Sequence, residues 1–266
     1  MDSCSGKAKK EHPGYEGVPM ETQDSVGDFF RGVETPGMID WTTMPTYNTV
    51  MALAVGAGLL GLVLFFRAVR ADAADVSITG WSLNFAVLGL ILTTTGLHMT
   101  LTWPLAAGGF AFDNIIFGEP SLALGVLLLA AAVYLWSKRV VGVTAREVAR
   151  DSRPLTIFVV GLGLAMLAIA LAGVVYQLFA APPQEPISGF FAEWAIIEAI
   201  FISALYAAIG VGALFTPLAT GRISRGLDGG VAASIIGWCW AVTGTIWLLF
   251  GALNFYSHIG LIVNTM

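Results

Sequence analysis

With 266 residues, 56% of them apolar and only 12% charged, the chain carries about half the charge density usual for a water-soluble domain, which excludes an ordinary soluble fold. The net charge of −5 comes mostly from one segment, and no basic patch interleaves with aromatics, so nucleic acid is excluded as a partner.

Residues 1–46 form a polar tail with eight acidic and four basic residues, rich in Gly and Pro and lacking the apolar run of a secretory leader. Within it, Asp28-Phe29-Phe30 and Ile39-Asp40-Trp41 read as short anchoring elements at a membrane surface. From residue 47 onward, apolar stretches recur between short charged loops, at about 47–66, 79–103, 121–136, 155–179, 190–214 and 231–258. They do not alternate apolar with polar residues, as strands of a membrane barrel would. The expected fold is therefore an all-α membrane protein: a bundle of about six transmembrane helices over 47–266, preceded by the 1–46 tail.

Arg67 and Arg70 follow the first stretch, five bases from Lys138 to Arg153 follow the third, and Arg222 and Arg225 follow the fifth. The loops at 104–120 and 180–189 contain no base. The positive-inside rule then puts the three basic loops in the cytoplasm, and both termini and the tail outside it, in a prokaryotic inner membrane. A faint parallel repeat joins the segment from Ile115 to Pro120, opening the third stretch, to that from Gly189 to Trp194, opening the fifth.

Polar residues inside the apolar stretches carry the functional signal, because a bilayer makes them costly to leave unsatisfied. Thr94, His98 and Thr102 recur every fourth residue and share one helical face. His98 reads either as a histidine satisfied by neighbouring hydroxyls and carbonyls or as a ligand or proton-handling group. In the last stretch Gly230, Gly237, Gly244 and Gly251 recur every seventh residue, a small-residue seam for close helix packing. One more step of seven lands on His258, with Asn254 nearby, so both are expected inside the bundle.

Glu119 and Glu193 open helices, where the macrodipole and free amides favour an anion, and capping is the expected role of both. Glu198 lies deeper, among apolar residues, and is a candidate site residue. His98, Glu198 and His258 are accordingly expected to share one polar pocket at the outer leaflet. The loop from Trp103 to Pro120 holds Asp113 and Asn114 among Phe110, Phe112 and Phe117, a pattern for either a re-entrant segment or an aromatic belt.

Cys4 and Cys239 lie in unlike surroundings and suggest neither a disulfide nor a metal pair, and which metal if any is bound is left unknown. No Walker loop, dinucleotide glycine fingerprint, CxxC, HExxH or nucleophile elbow is present. Over Gly96-Leu97-His98-Met99-Thr100-Leu101-Thr102-Trp103-Pro104-Leu105 and the run from Asp113 to Pro120, the chain resembles the multi-span membrane proteins of domain of unknown function 981. The resemblance extends over residues 47 to about 260, leaves out the acidic tail, and implies a membrane protein without bringing an activity, cofactor or catalytic residue.

The leading expectation is a non-enzymatic membrane subunit or scaffold, in contact with lipid and joining a partner protein or a second copy through its glycine-rich faces. No cofactor is expected on this reading. Two alternatives stand beside it: a redox-associated subunit with b-type haem or quinone at His98 and His258, and a small-solute transporter or channel using Glu198.

Overall fold

The computed structural model of the chain describes residues 26–42, 44, 47–102 and 111–266. Cys4, the Trp103-Pro104-Leu105 element and Phe110 lie outside the described residues. Among the described residues the regular structure is helical, without strands. A short α1 (Val26–Arg31) precedes α2 (Asn48–Ala71) and α3 (Ile78–Leu101), then α4 (Glu119–Lys138), which a π-helical turn at Asn114–Gly118 extends toward its N-terminus. There follow α5 (Ala145–Ser152), α6 (Thr156–Tyr176), α7 (Ala195–Leu214), α8 (Thr216–Ile223) and α9 (Gly230–Thr265). The helices α2, α3, α4, α6, α7 and α9 are long and apolar enough to cross a membrane.

The limits differ from the sequence reading where a polar residue finds an unforeseen partner. The last helix runs past His258 to Thr265, because Asn264 bonds the backbone of Arg31 and Gln184, and Thr265 bonds Leu261 O. Ser188–Trp194 winds as a 3-10 helix after Ile187, whose φ of 69° breaks the chain direction, so α7 begins only at Ala195. Two of the basic loops contain helices. In α5, Thr144 and Glu147 form a reciprocal capping box, a signature visible in the sequence as T-x-x-E.

The six long helices pack as three tight pairs, α3 with α4, α2 with α9 and α6 with α7. Each pair crosses at glycines that bring two backbones together. A Cβ on Gly56 would lie 2.7 Å from Gly244 O, one on Gly125 2.5 Å from Thr93 N, and one on Gly210 2.7 Å from Gly163 O. Any side chain there would have to displace backbone, so these crossings need glycine. The heptad seam of α9 is used for only half its length. Gly244 and Gly251 meet Leu60 and Leu53 of α2, but a Cβ on Gly237 would touch nothing within 4 Å. Gly230 starts the helix at a φ of 59° beside the Arg222 side chain. The seam expected from Gly230 to Gly251 is therefore corrected to its second half, and its occupant is α2 of the same chain.

Large side chains collect in two separate cores. Met51, Phe65, Phe85, Leu92, Leu128 and Leu135 fill the space between α2, α3 and α4. Met166, Ala170, Ile202, Leu205, Tyr206 and Trp247 fill that between α6, α7 and α9. The α2/α9 pair joins the two halves, whereas α4 and α6, at the opposite edges, barely touch. Outward-facing Leu83, Val87, Leu90, Ile157, Leu171 and Leu249 are exposed, an apolar exterior that matches hydrocarbon better than water.

The glycine crossings generate a contrast. Gly56→Leu and Gly125→Leu should each lower the thermal unfolding midpoint in detergent by the equivalent of about 1–3 kcal/mol or more. Gly237→Leu, made into open space, should leave it unchanged, and equal effects of all three would refute this packing scheme.

Candidate functional site

Between the two cores lies a cavity of about 450 Å³, lined by α2, α4, α6, α7 and α9 but not by α3. It is elongated: the lining positions on α7 run from Glu198 to Ala213, roughly 22 Å at 1.5 Å per residue. Most of its wall is apolar, with Val55, Leu124, Val159 and Ile202 around its middle. Its polar groups gather mainly toward the end of the bundle that holds α1 and the last turn of α9, the terminal end, opposite the basic loops. There Asp113, Glu185, Glu198, Asn254 and His258 line it.

Each arrives by a different route. Asn254 and His258 are four residues apart on α9 and share a face, with Ser257 between them. Glu185 hangs from the loop between α6 and α7 and is only 8% exposed. Its Oε1 accepts a hydrogen bond from Ser257 Oγ at 2.7 Å and lies 3.6 Å from His258 Nε2. Glu198, in the first turn of α7, accepts from Ala181 N at 2.7 Å. Asp113 precedes the π turn, and burial pushes its carboxyl up to about 7. Neither Asp113 nor Asn254, itself only 6% exposed, has a bonded partner among the described residues. No lysine or arginine lines the cavity.

The terminal end is closed by protein. Residues 26–42 lie across it, with Val33 N bonded to Pro183 O, Thr35 N to Asn264 O, Gly37 N to Thr265 O and Ile187 N to Phe29 O. Trp41 Nε1 donates to Thr265 Oγ1 at 3.0 Å, and Tyr256 OH to Phe30 O at 2.7 Å. The two anchoring elements read in the tail thus hold to α9 and the 180–189 loop, and Trp41 itself lines the cavity.

The pocket expected from His98, Glu198 and His258 is only partly assembled. Glu198 and His258 line one cavity, but His98 is exposed on α3, where its Nδ1 lies 2.7 Å from Tyr47 OH. The hydroxyls of its stripe are satisfied locally, Thr94 by Leu90 O and Thr102 by His98 O. The shared pocket of three is corrected accordingly: His98 does not line the cavity that Glu198 and His258 share. Glu185 stands where His98 was expected. Its signal was the polar pair Gln184-Glu185 between prolines in an otherwise apolar loop. The capping roles of Glu119 and Glu193 are also corrected. Both side chains are exposed and neither caps its helix: the π turn continues α4 backward past Glu119, and α7 starts beyond Glu193.

An all-helical chain with six helices long and apolar enough to cross a bilayer has the build of a multi-pass membrane protein. The chain belongs to the family of proteins of unknown function DUF981, whose family model matches residues 44–260 and so takes in Asp113, Glu185, Glu198, Asn254 and His258. No curated protein and no solved structure matches it.

The closure at the terminal end depends on Asn264, whose amide holds both Arg31 O and Gln184 O. Asn264→Ala should cost about 1–3 kcal/mol by leaving buried carbonyls unpaired. Trypsin should then cut after Arg31 several-fold faster than in the unaltered chain, releasing a fragment that begins at Gly32. An unchanged cleavage rate would mean that residues 26–42 are held by other bonds.

Proposed function

We propose that this is an inner-membrane protein that holds an elongated apolar molecule inside its helical bundle, with the polar end of that molecule among Asp113, Glu185, Glu198, Asn254 and His258. The observation that carries this reading is the cavity between two separately packed cores. Its volume is within the range of small-molecule sites, its wall is apolar, and its polar groups converge mainly near one end, the division of labour such sites use. Lateral access from the bilayer follows from the loose seam between α4 and α6, whose Leu124, Leu127, Val159 and Leu162 all line the cavity.

The scaffold reading drew its support from a glycine face seeking a partner and from the lack of catalytic motifs, and α2 takes half of that face within the chain. A quinone is one molecule of the proposed shape, with a ring for the polar end and a chain for the apolar wall. Transport of the bound molecule is favoured over mere storage by the seam, which gives the cavity a way out toward the bilayer although residues 26–42 strap its terminal end. The arrangement of charge supports an orientation with the terminal end outside, because all nine bases beyond residue 46 then face the cytoplasm.

Two measurements test these statements. With Cys4 and Cys239 replaced by serine, a membrane-impermeant thiol reagent applied to intact cells should label Glu34→Cys and spare Arg146→Cys, and the opposite pattern would reverse the orientation. Native mass spectrometry of the purified chain should show a retained single-chain apolar molecule. Leu124→Trp, which fills the cavity at its middle, should lose that molecule and keep the unfolding midpoint within a few degrees. A wild-type chain that carries nothing, even after incubation with membrane lipid extract, would end the proposal.

A further inference from the structure

The charge balance of the cavity narrows the class of its occupant. Three carboxyl groups, Asp113, Glu185 and Glu198, line it, and no lysine or arginine does. His258 is the one basic side chain among the lining residues, and it lies against Glu185, at 3.6 Å. Ser257 spends its hydroxyl on the same Glu185 oxygen, and Ala181 N occupies one oxygen of Glu198. What remains free at this end is the carboxylate oxygens, both of Asp113, Oε1 of Glu198 and Oε2 of Glu185, beside the side-chain amides of Asn254 and Asn48, which offer donors as well as acceptors. Asn254 is independent of the acidic cluster, is 94% buried by its 6% exposure, lines the cavity, and has no partner within the chain. A buried amide without a partner costs about 1–3 kcal/mol, which a bound group would relieve.

Once these carboxyls are ionised, an anionic head, such as that of a fatty acid or a phosphatidate, would add a like charge beside them in a low-dielectric space and is strongly disfavoured. A neutral chain with a hydroxyl head would hydrogen-bond to these oxygens but would leave the charge of an ionised carboxylate unbalanced. A cation satisfies both requirements at once, because it neutralises a carboxylate and the apolar wall desolvates its chain. We infer that the cavity binds a single-chain lipophilic cation, its charged head among Asp113, Glu198 and Asn254 and its chain along Val55, Leu124 and Ile202, and that the cation enters in exchange for a proton held by these carboxyls. The inference rests on the ligand-holding reading above and specifies its occupant.

The exchange has a definite sign. Burial keeps Asp113 protonated to near neutrality, its carboxyl titrating at about 7, so below that pH the proton occupies the site and the cation competes with it. The other groups facing this end are Glu185, Glu198 and His258, and protonation of any of them also disfavours a cation. Binding therefore strengthens as pH rises.

The test uses the full chain in nanodiscs, with empty nanodiscs as the reference for partition into lipid. Dodecyltrimethylammonium serves as the probe because its charge does not titrate, with dodecanol and dodecanoate as neutral and anionic chains of equal length. Saturable binding of the ammonium is expected, on the order of tenfold tighter at about pH 8 than at about pH 5.5, with net proton release. Dodecanol and dodecanoate should bind at least about tenfold more weakly at the higher pH. Asp113→Asn with Glu198→Gln keeps shape and the bond from Ala181 N, and should abolish the preference for the cation and reduce its pH dependence to what Glu185 and His258 contribute. If dodecanol or dodecanoate binds as well as the ammonium, or the double variant behaves as the original, the cation inference is overturned while the cavity reading stands. If none of the three probes saturates and Leu124→Trp changes nothing, the cavity reading falls with it.

Discussion

The rest of the structure depends on the close approach of backbones at three glycine crossings. Within a bilayer no hydrophobic gain drives one apolar helix onto another, so contact area and backbone proximity must hold the pairs together. Gly56 on Gly244, Gly89 with Gly125, and Gly163 on Gly210 remove the side chains that would hold the axes apart. Large residues are displaced from these lines to either side, where they form two cores instead of one. Because the α2/α9 pair is the main bridge between the halves and α4 and α6 barely touch, the middle of the bundle is left unfilled. The cavity is thus a direct consequence of how the helices pair.

That geometry also explains why polar groups survive at one end. The loop between α6 and α7 folds inward, turning at Ile187, and lowers Gln184 and Glu185 onto α9. Residues 26–42 cover the outside of the same region and satisfy its backbone through Asn264, Thr265 and Pro183. Carboxyls that would be solvated on an open surface become enclosed, Glu185 and Glu198 each keeping a hydrogen bond and spare acceptor capacity. Spare acceptors facing an apolar space are what distinguish a binding site from a satisfied core. The basic end, by contrast, is tied by exposed bonds at its surface, such as Arg146 Nε to Ser224 O and Arg222 to Asp228.

The sequence and the structure part company at identifiable residues. Glu198 was legible because a carboxyl in the midst of apolar residues on a helix has nowhere to go but inward. His258 and Asn254 were legible as inward from the seven-residue glycine period carried one step further. Glu185 was not, since an acid in a polar, proline-flanked loop is ordinary until the loop is seen to fold under. His98 misled because a stripe of Thr94, His98 and Thr102 reports a common face without reporting what that face meets, and threonines on a helix bond their own backbone. The seven-residue glycine period told which side of α9 is smooth, yet only tertiary packing showed that α2 covers half of that side.

By itself the sequence determined the class: an all-helical chain with six apolar stretches, separated by loops in which every second one is basic. Those features follow from the cost of placing charge and unpaired backbone in hydrocarbon, which is local and can be counted residue by residue. Which helices pair, that a cavity lies between the halves, and that Asp113, Glu185, Glu198, Asn254 and His258 meet around it were decided only by the tertiary structure. Such contacts join residues far apart in the chain, and their energies depend on the partner's shape, which no local pattern of residues contains.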